Sequence, residues 1–202
     1  MNPTELYETT VAERRRLTGL LEALTPEQWA TDSLCRGWRV REVVAHLNTS
    51  ETQHWDDFEA SVGAAHGDIN LACDRTARAD TSRFNDAELL DIYQRRIPSR
   101  WTPGPNEHQA ALAHEVIHGL DITIALGLPG PEPHVMAAAM SGGDPESIEV
   151  FGVDLAGNRL VAHHTAHVIG AEGDAPDVTE VRMTAVDLTL TATGRLPLPG
   201  VP

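Results

Sequence analysis

Ala113-His114-Glu115-Val116-Ile117-His118-Gly119-Leu120-Asp121 carries two histidines four residues apart. On an α-helix that spacing is about one turn, so both imidazoles project from one face and can reach a single metal ion. Asp121 falls on the same face, three residues after His118. Two ligands leave a catalytic zinc site incomplete, because such a site takes three protein ligands and keeps one position open. A third has to come from elsewhere in the chain.

Outward from this stretch the helical pattern begins at Asn106, a candidate N-cap, and runs to about Leu126, where Gly127 and Pro129 stop it. Ala110, His114, Ile117, His118 and Asp121 share one face, and Leu112, Val116, Leu120 and Thr123 another. Both faces need neighbours, so the helix belongs inside a bundle. Upstream, Leu6, Leu17, Leu20, Leu21 and Leu24 predict a first helix over 3–24, and Thr25-Pro26-Glu27-Gln28 restarts a short one. Residues 33–38 read as a turn. From Arg39, Val40, Val43, Val44 and Leu47 recur at i, i+3, i+4 and i+7, an amphipathic helix with His46 at the margin of its apolar stripe. Ser50, His54 and Asp57 extend that margin as a polar ridge on the same helix. Residues 62–84 are mixed, with a helical turn around 68–79. Asn85 and Glu88 form a capping box that opens a helix through about Arg96, and Pro98 ends it.

Downstream, a short helix over about 134–140 precedes a Gly-Gly-Asp-Pro turn. Residues 148–155 and 159–163 then read as a β-hairpin, and a third strand covers 165–169. The last element, 178–193, fits two periods: Val186, Leu188 and Leu190 alternate as in a strand, while Met183, Val186 and Leu190 fit a helix.

Composition removes several functions. The chain has 202 residues, a formal net charge of −15 and fifteen basic residues, all arginine. Without lysine there is no Schiff-base lysine, lysine-dependent phosphate loop or lysine general base. Acidity of this size, with no basic stripe, repels a phosphate backbone and an anionic membrane surface. No apolar run approaches the roughly 20 residues that span a bilayer, and Glu5, Glu8 and Glu13 do not make a secretory signal. A cytoplasmic location is expected. Cys35 and Cys73 lack zinc-ribbon spacing and read as reduced core residues.

Metal sites in bundles are built from side chains on facing helices, which makes His46 the best third ligand. Taken alone, a histidine beside an apolar stripe is more often a hydrogen-bonded core residue. The i, i+4 pair with Asp121 on its face shifts the balance towards a metal. His114-Glu115-x-x-His118 is also the zincin motif, with Glu115 as general base. Its usual continuation is missing, since Asp121 stands where a metzincin has glycine and the downstream region is rich in Gly and Pro.

Cys35-Arg36-Gly37-Trp38-Arg39-Val40-Arg41-Glu42-Val43-Val44-Ala45-His46-Leu47, followed by His114-Glu115-Val116-Ile117-His118-Gly119-Leu120-Asp121-Ile122, resembles the mycothiol-dependent maleylpyruvate isomerase family of the DinB-like superfamily. The resemblance extends to Phe151-Gly152-Val153-Asp154-Leu155, Arg159-Leu160-Val161-Ala162 and Thr193-Gly194-Arg195. It implies a mainly α fold, a DinB-like up-down four-helix bundle over 1–140 with a small C-terminal α+β domain over 141–202. It also implies a divalent metal, usually zinc, on His46, His114 and His118. The founding type of isomerase has glutamate first in the later pair. Glu115 is one residue out of phase with that position, so the three-histidine version of the wider superfamily is the better match. In this resemblance Asp121 holds an imidazole, or serves as a helix cap or salt-bridge partner. Arg195 matches the family's C-terminal arginine and meets an anionic substrate or thiol, or is simply a cation near a helix C-terminus. His163-His164-Thr165-Ala166-His167 and the threonine-rich last segment depart from the family pattern.

The expectation is a metal-dependent isomerase or S-transferase that uses mycothiol or a similar thiol on a small electrophile. The alternatives are a zinc hydrolase using the zincin-like motif and a bundle that binds metal without turnover. Substrate and oligomeric state stay open.

Overall fold

Helix starts follow their capping residues in the computed structural model, which describes residues 1–104, 106–141, 151–155, 157–163, 167–170 and 178–199. α1 (Pro3–Leu21) opens where Asn2 accepts from the Thr4 and Glu5 amides and the Glu5 carboxylate takes the Asn2 amide. α2 (Pro26–Trp29) repeats the device with Thr25 and Gln28. A turn over 33–38 follows, closed by a bridge between Asp32 and Arg39, with Gly37 at φ +81°. It delivers α3 (Val40–Leu47), in which Val40, Val43, Val44 and Leu47 are buried.

The polar ridge expected beyond His46 does not form on one helix. The chain breaks at Asn48 and Gln53 into α4 (Thr49–Thr52) and α5 (Trp55–Ala64). Asn48 is fully buried and donates its side-chain amide to the Leu89 carbonyl at 2.9 Å, and Gln53 is extended. Short polar side chains that bond nearby backbone or a neighbouring helix compete with helix continuation, and Asn48-Thr49-Ser50 is such a run.

α6 (Ile69–Arg83), capped by Asp68, is longer than the expected turn over 68–79. α7 (Asp86–Arg95) starts at the Asn85–Glu88 capping box. α8 (His108–Thr123) begins after Glu107, so Asn106 is not its cap: it lies at φ +66° in the loop before the helix. α8 also ends three residues before Leu126, in a turn that reaches Gly127. α9 (Pro133–Met140) follows.

The C-terminal strands differ from the expected hairpin. Residues 151–155 form no strand, while 148–150, 156 and the Gly-Gly-Asp-Pro turn lie outside the described residues. β1 (Asn158–Ala162) is instead the middle strand of a sheet, antiparallel to β2 (Val168–Gly170) and parallel to β3 (Thr179–Met183). Leu160 pairs with Ile169 on one side and Val181 on the other. At Gly170, with φ +113°, a Cβ would stand 2.6 Å from the Asn158 carbonyl oxygen, so only glycine fits. The ambiguous segment 178–193 contains both elements. β3 ends at Met183, and Thr184 caps α10 (Ala185–Ala192) by accepting from the Asp187 amide. Of the expected strand over 165–169, residues 165 and 166 lie outside the described residues, as does His164.

The architecture is mainly α, a helical bundle followed by a small α+β extension. α1 packs along α8, and α3 lies against α6, α7 and α8. One apolar cluster joins Leu17, Leu21, Val43, Val44, Leu89 and Tyr93 inside the bundle. A second joins Leu6, Leu112, Val116 and Leu120 to Met136, Leu160, Ile169 and Leu188, so the extension shares its core with α1 and α8. No described helix is long and apolar enough to cross a membrane.

Candidate metal centre

α8 makes one turn between His114 and His118, and α3 faces that side with His46. The Nε2 atoms of His114 and His46 are 3.1 Å apart. One ligand atom from each of the three residues lies within 4.8 Å of the other two. The ring centroids are 4.9, 4.7 and 5.0 Å apart, with rings crossing edge to face. Two imidazole nitrogens on a tetrahedral zinc would be about 3.3 Å apart, close to the separation of the first pair. His118 uses Nδ1 against Asp121 Oδ2 at 3.0 Å, which leaves its Nε2 to turn towards the other two rings.

Burial depresses the His46 and His114 imidazoles well below their ordinary pKa, and the neighbouring histidines and Arg96 push the same way. Both rings are therefore neutral at pH 7, the form that binds a metal. Neither Nδ1 has a hydrogen-bond partner among the described residues, and the facing Nε2 atoms can share only one proton. Three imidazole donors suit zinc or another first-row dication, so the residues present fit the ion that the family pattern implies.

Asp121 is fully buried and serves two partners. Beside His118, it receives Arg195 Nε on Oδ1 at 3.0 Å and Nη2 on Oδ2 at 2.9 Å. Burial alone would raise its carboxyl, but the hydrogen bonds from His118 and Arg195 outweigh that and hold it below the usual carboxylate range. Holding an imidazole and forming a salt bridge were alternatives in the sequence, and in the fold Asp121 does both. Arg195 also donates Nη1 to the Thr193 carbonyl just past α10, so it sits at a helix end while it faces the site.

Glu115 leaves α8 away from the histidines. It accepts Arg14 Nε at 2.8 Å and the Tyr93 hydroxyl at 2.9 Å, and Arg96 Nη2 is 2.8 Å away, with none of the three ionic side chains exposed. Burial would raise this carboxyl, and the guanidiniums of Arg96 and Arg14 more than reverse it. A zincin base must reach water at the metal, and this one is enclosed by two arginines and a tyrosine. The zincin arrangement is not formed.

Sequence reading missed the aromatic walls and this charge cluster. Trp38 lies 5.1 Å from the His46 ring and 6.5 Å from His118, held by Nε1 donating to Asp74 Oδ1 at 2.8 Å. Trp101 lies 5.6 Å from His114. A signal for the charge cluster was available: Arg14 occupies the stripe of Thr10, Leu17 and Leu21 on α1, a charge where an apolar side chain is expected. The three histidines open into a cleft of about 1410 Å³, with Trp38 and Arg195 among its walls. Cys35 and Cys73 line it too, but burial and the Asp121 charge push the Cys35 thiol up to about 11. It stays a thiol at neutral pH and is a poor nucleophile.

A search of curated proteins and one of solved structures found no significant match. The family model of the mycothiol maleylpyruvate isomerase N-terminal domain matches residues 10–123, from α1 to the end of α8. That span contains all three histidines and Asp121, and it covers more than half of the chain. By this match, the chain belongs to the mycothiol maleylpyruvate isomerase N-terminal domain family of the DinB-like superfamily.

Proposed function

We propose that this protein is a metal-dependent enzyme that uses mycothiol or a similar low-molecular-weight thiol to isomerise, or to transfer the thiol to, a small electrophilic substrate. The observation that carries the reading is the convergence of three histidines at the floor of a cleft, within 4.8 Å of one another. His46, His114 and His118 would hold a divalent ion, for which zinc is the natural candidate. When bound, such an ion lowers the pKa of a thiol or water at its open position and so supplies a nucleophile at neutral pH.

The remaining roles fall to the chain itself. Asp121 fixes the His118 ring and its tautomer, an orienting function that ligating histidines commonly receive from a carboxylate. Arg195 reaches the cleft from the C-terminal extension and offers a cation to an anionic substrate or cofactor, while Asp121 holds its guanidinium in place. Trp38 and Trp101 set their rings against His46 and His114 and wall the centre. A cleft of about 1410 Å³ has room for a thiol and a small substrate together.

The test is metal analysis combined with thiol-dependent turnover. Purified protein is expected to carry one divalent ion per chain, and His46→Ala or His114→Ala to abolish it. Asp121→Asn should keep the fold and weaken metal binding by about 10- to 100-fold in chelator competition. Absence of stoichiometric metal, or metal content unchanged in both alanine variants, refutes the reading. Metal retained without activity on any thiol and electrophile pair leaves a binding bundle instead of an enzyme.

A further inference from the structure

Behind the histidines the bundle encloses three charges that bind no ligand of the proposed centre. Arg14, Arg96 and Glu115 each have 0% side-chain exposure. Two guanidiniums face one carboxylate, so this cluster carries an excess of one positive charge among the described residues. The neighbouring charges pair off, Asp121 with Arg195 and Glu13 with Arg16. Arg14 is well anchored, giving Nε to Glu115 and Nη1 to the Ser99 carbonyl at 2.8 Å. Arg96, which follows α7 as its C-cap, is different. Its Nε and Nη1 have no hydrogen-bond partner among the described residues, and Nη2 meets Glu115 as an ion contact without hydrogen-bond geometry. What faces its charge is the Glu115 carboxylate and the Tyr93 ring, whose centroid is 5.3 Å from the guanidinium carbon, with no hydrogen bond among the described residues.

Glu115 is covalently next to His114, so Arg96 packs through Glu115 against the turn of α8 that carries the first histidine of the pair. Arg96 is also among the charges that keep the His46 and His114 imidazoles neutral. In the protein interior such a charge acts over several ångströms with less attenuation than in bulk water. Three imidazoles bring no negative charge of their own to a dication. The site thus combines a cation-binding donor set with a cationic background.

We infer that Arg96 sets the ligand preference of the tri-histidine centre: its buried charge opposes a bare dication there and favours one that carries a small anionic donor, such as a thiolate or carboxylate, over a neutral donor. This rests on the metal reading proposed above. Arg96 acts through the field and touches neither metal nor substrate, so it is a positioning residue in the electrostatic sense.

The test uses full-length protein loaded with cobalt(II), titrated with thiocyanate and separately with imidazole, and followed by its visible spectrum. Arg96→Met leaves a neutral Arg14–Glu115 pair, Arg96→Gln is a second neutral variant, and Arg96→Lys keeps the charge. Removing the charge is expected to weaken thiocyanate binding roughly tenfold and leave imidazole binding unchanged. The lysine variant should retain wild-type thiocyanate affinity. Affinity for the metal alone, from chelator competition, should rise in the neutral variants. Thiocyanate binding that ignores the charge, parallel loss of thiocyanate and imidazole, or weaker metal binding in the neutral variants overturns the inference alone. Protein that takes up no cobalt in any form overturns the metal reading, and this inference with it.

Discussion

His114 and Glu115 are neighbours in sequence, yet a step of about 100° around the helix puts them in separate chemistry. His114 faces His46 across a cleft, while Glu115 is sealed against Arg14, Arg96 and Tyr93. Removing one member of a buried ionic group leaves its partners charged and unpaired. Glu115→Gln should therefore cost about 3–5 kcal/mol of stability, measurable by denaturant unfolding. The histidines give a pH signature in protein stripped of metal. Because folding depresses the His46 and His114 pKa values, their stabilising effect is complete above the unfolded value of about 6.5 and is lost as pH falls towards the folded values. In that window the unfolded chain binds protons that the native state refuses. Melting temperature should fall on acidification below about pH 6.5, and His46→Ala with His114→Ala should flatten the profile. A flat profile in the unsubstituted protein would refute the neutral histidine pair.

At the scale of elements, periodicity and caps located most helices, and the failures have local causes. α2 and α7 start at the capping residues read from the sequence, because a cap is a contact between residues three apart. The ridge through Ser50, His54 and Asp57 failed because Asn48 bonds Leu89 on α7, a partner that no local pattern reveals. The segment 178–193 resisted assignment because one window spans a strand and a helix that meet at Thr184. Caps also allow a clean control. Asn85→Ala should cost about 1 kcal/mol through α7 alone. Its metal content should match that of the unsubstituted protein, and loss of metal in this variant would tie the site to α7 more closely than the contacts indicate.

For the whole molecule, the extension is joined to the bundle by a shared core and by an ionic contact between Arg195 and Asp121. Leu160, Ile169 and Leu188 complete the apolar cluster of Leu6, Leu112 and Leu120, and Arg195 pairs with Asp121 on α8. A chain ended at Met140 should expose that cluster and leave Asp121 buried without its guanidinium. It is expected to melt well below the full chain, or to aggregate, in a thermal scan. An unchanged melting temperature would show that residues 1–140 stand alone.

The sequence by itself determined the bundle helices and the i, i+4 histidine pair, because helical periodicity and ligand spacing are local properties of the chain, and its resemblance to the family pointed to His46 as the third histidine. Only the tertiary structure decided that Glu115 turns inward, that Asp121 holds both His118 and Arg195, and that Trp38 and Trp101 wall the histidines. Each of those contacts joins a helix to a partner it meets only after packing, and burial there decides which charges stay paired and which imidazoles stay neutral.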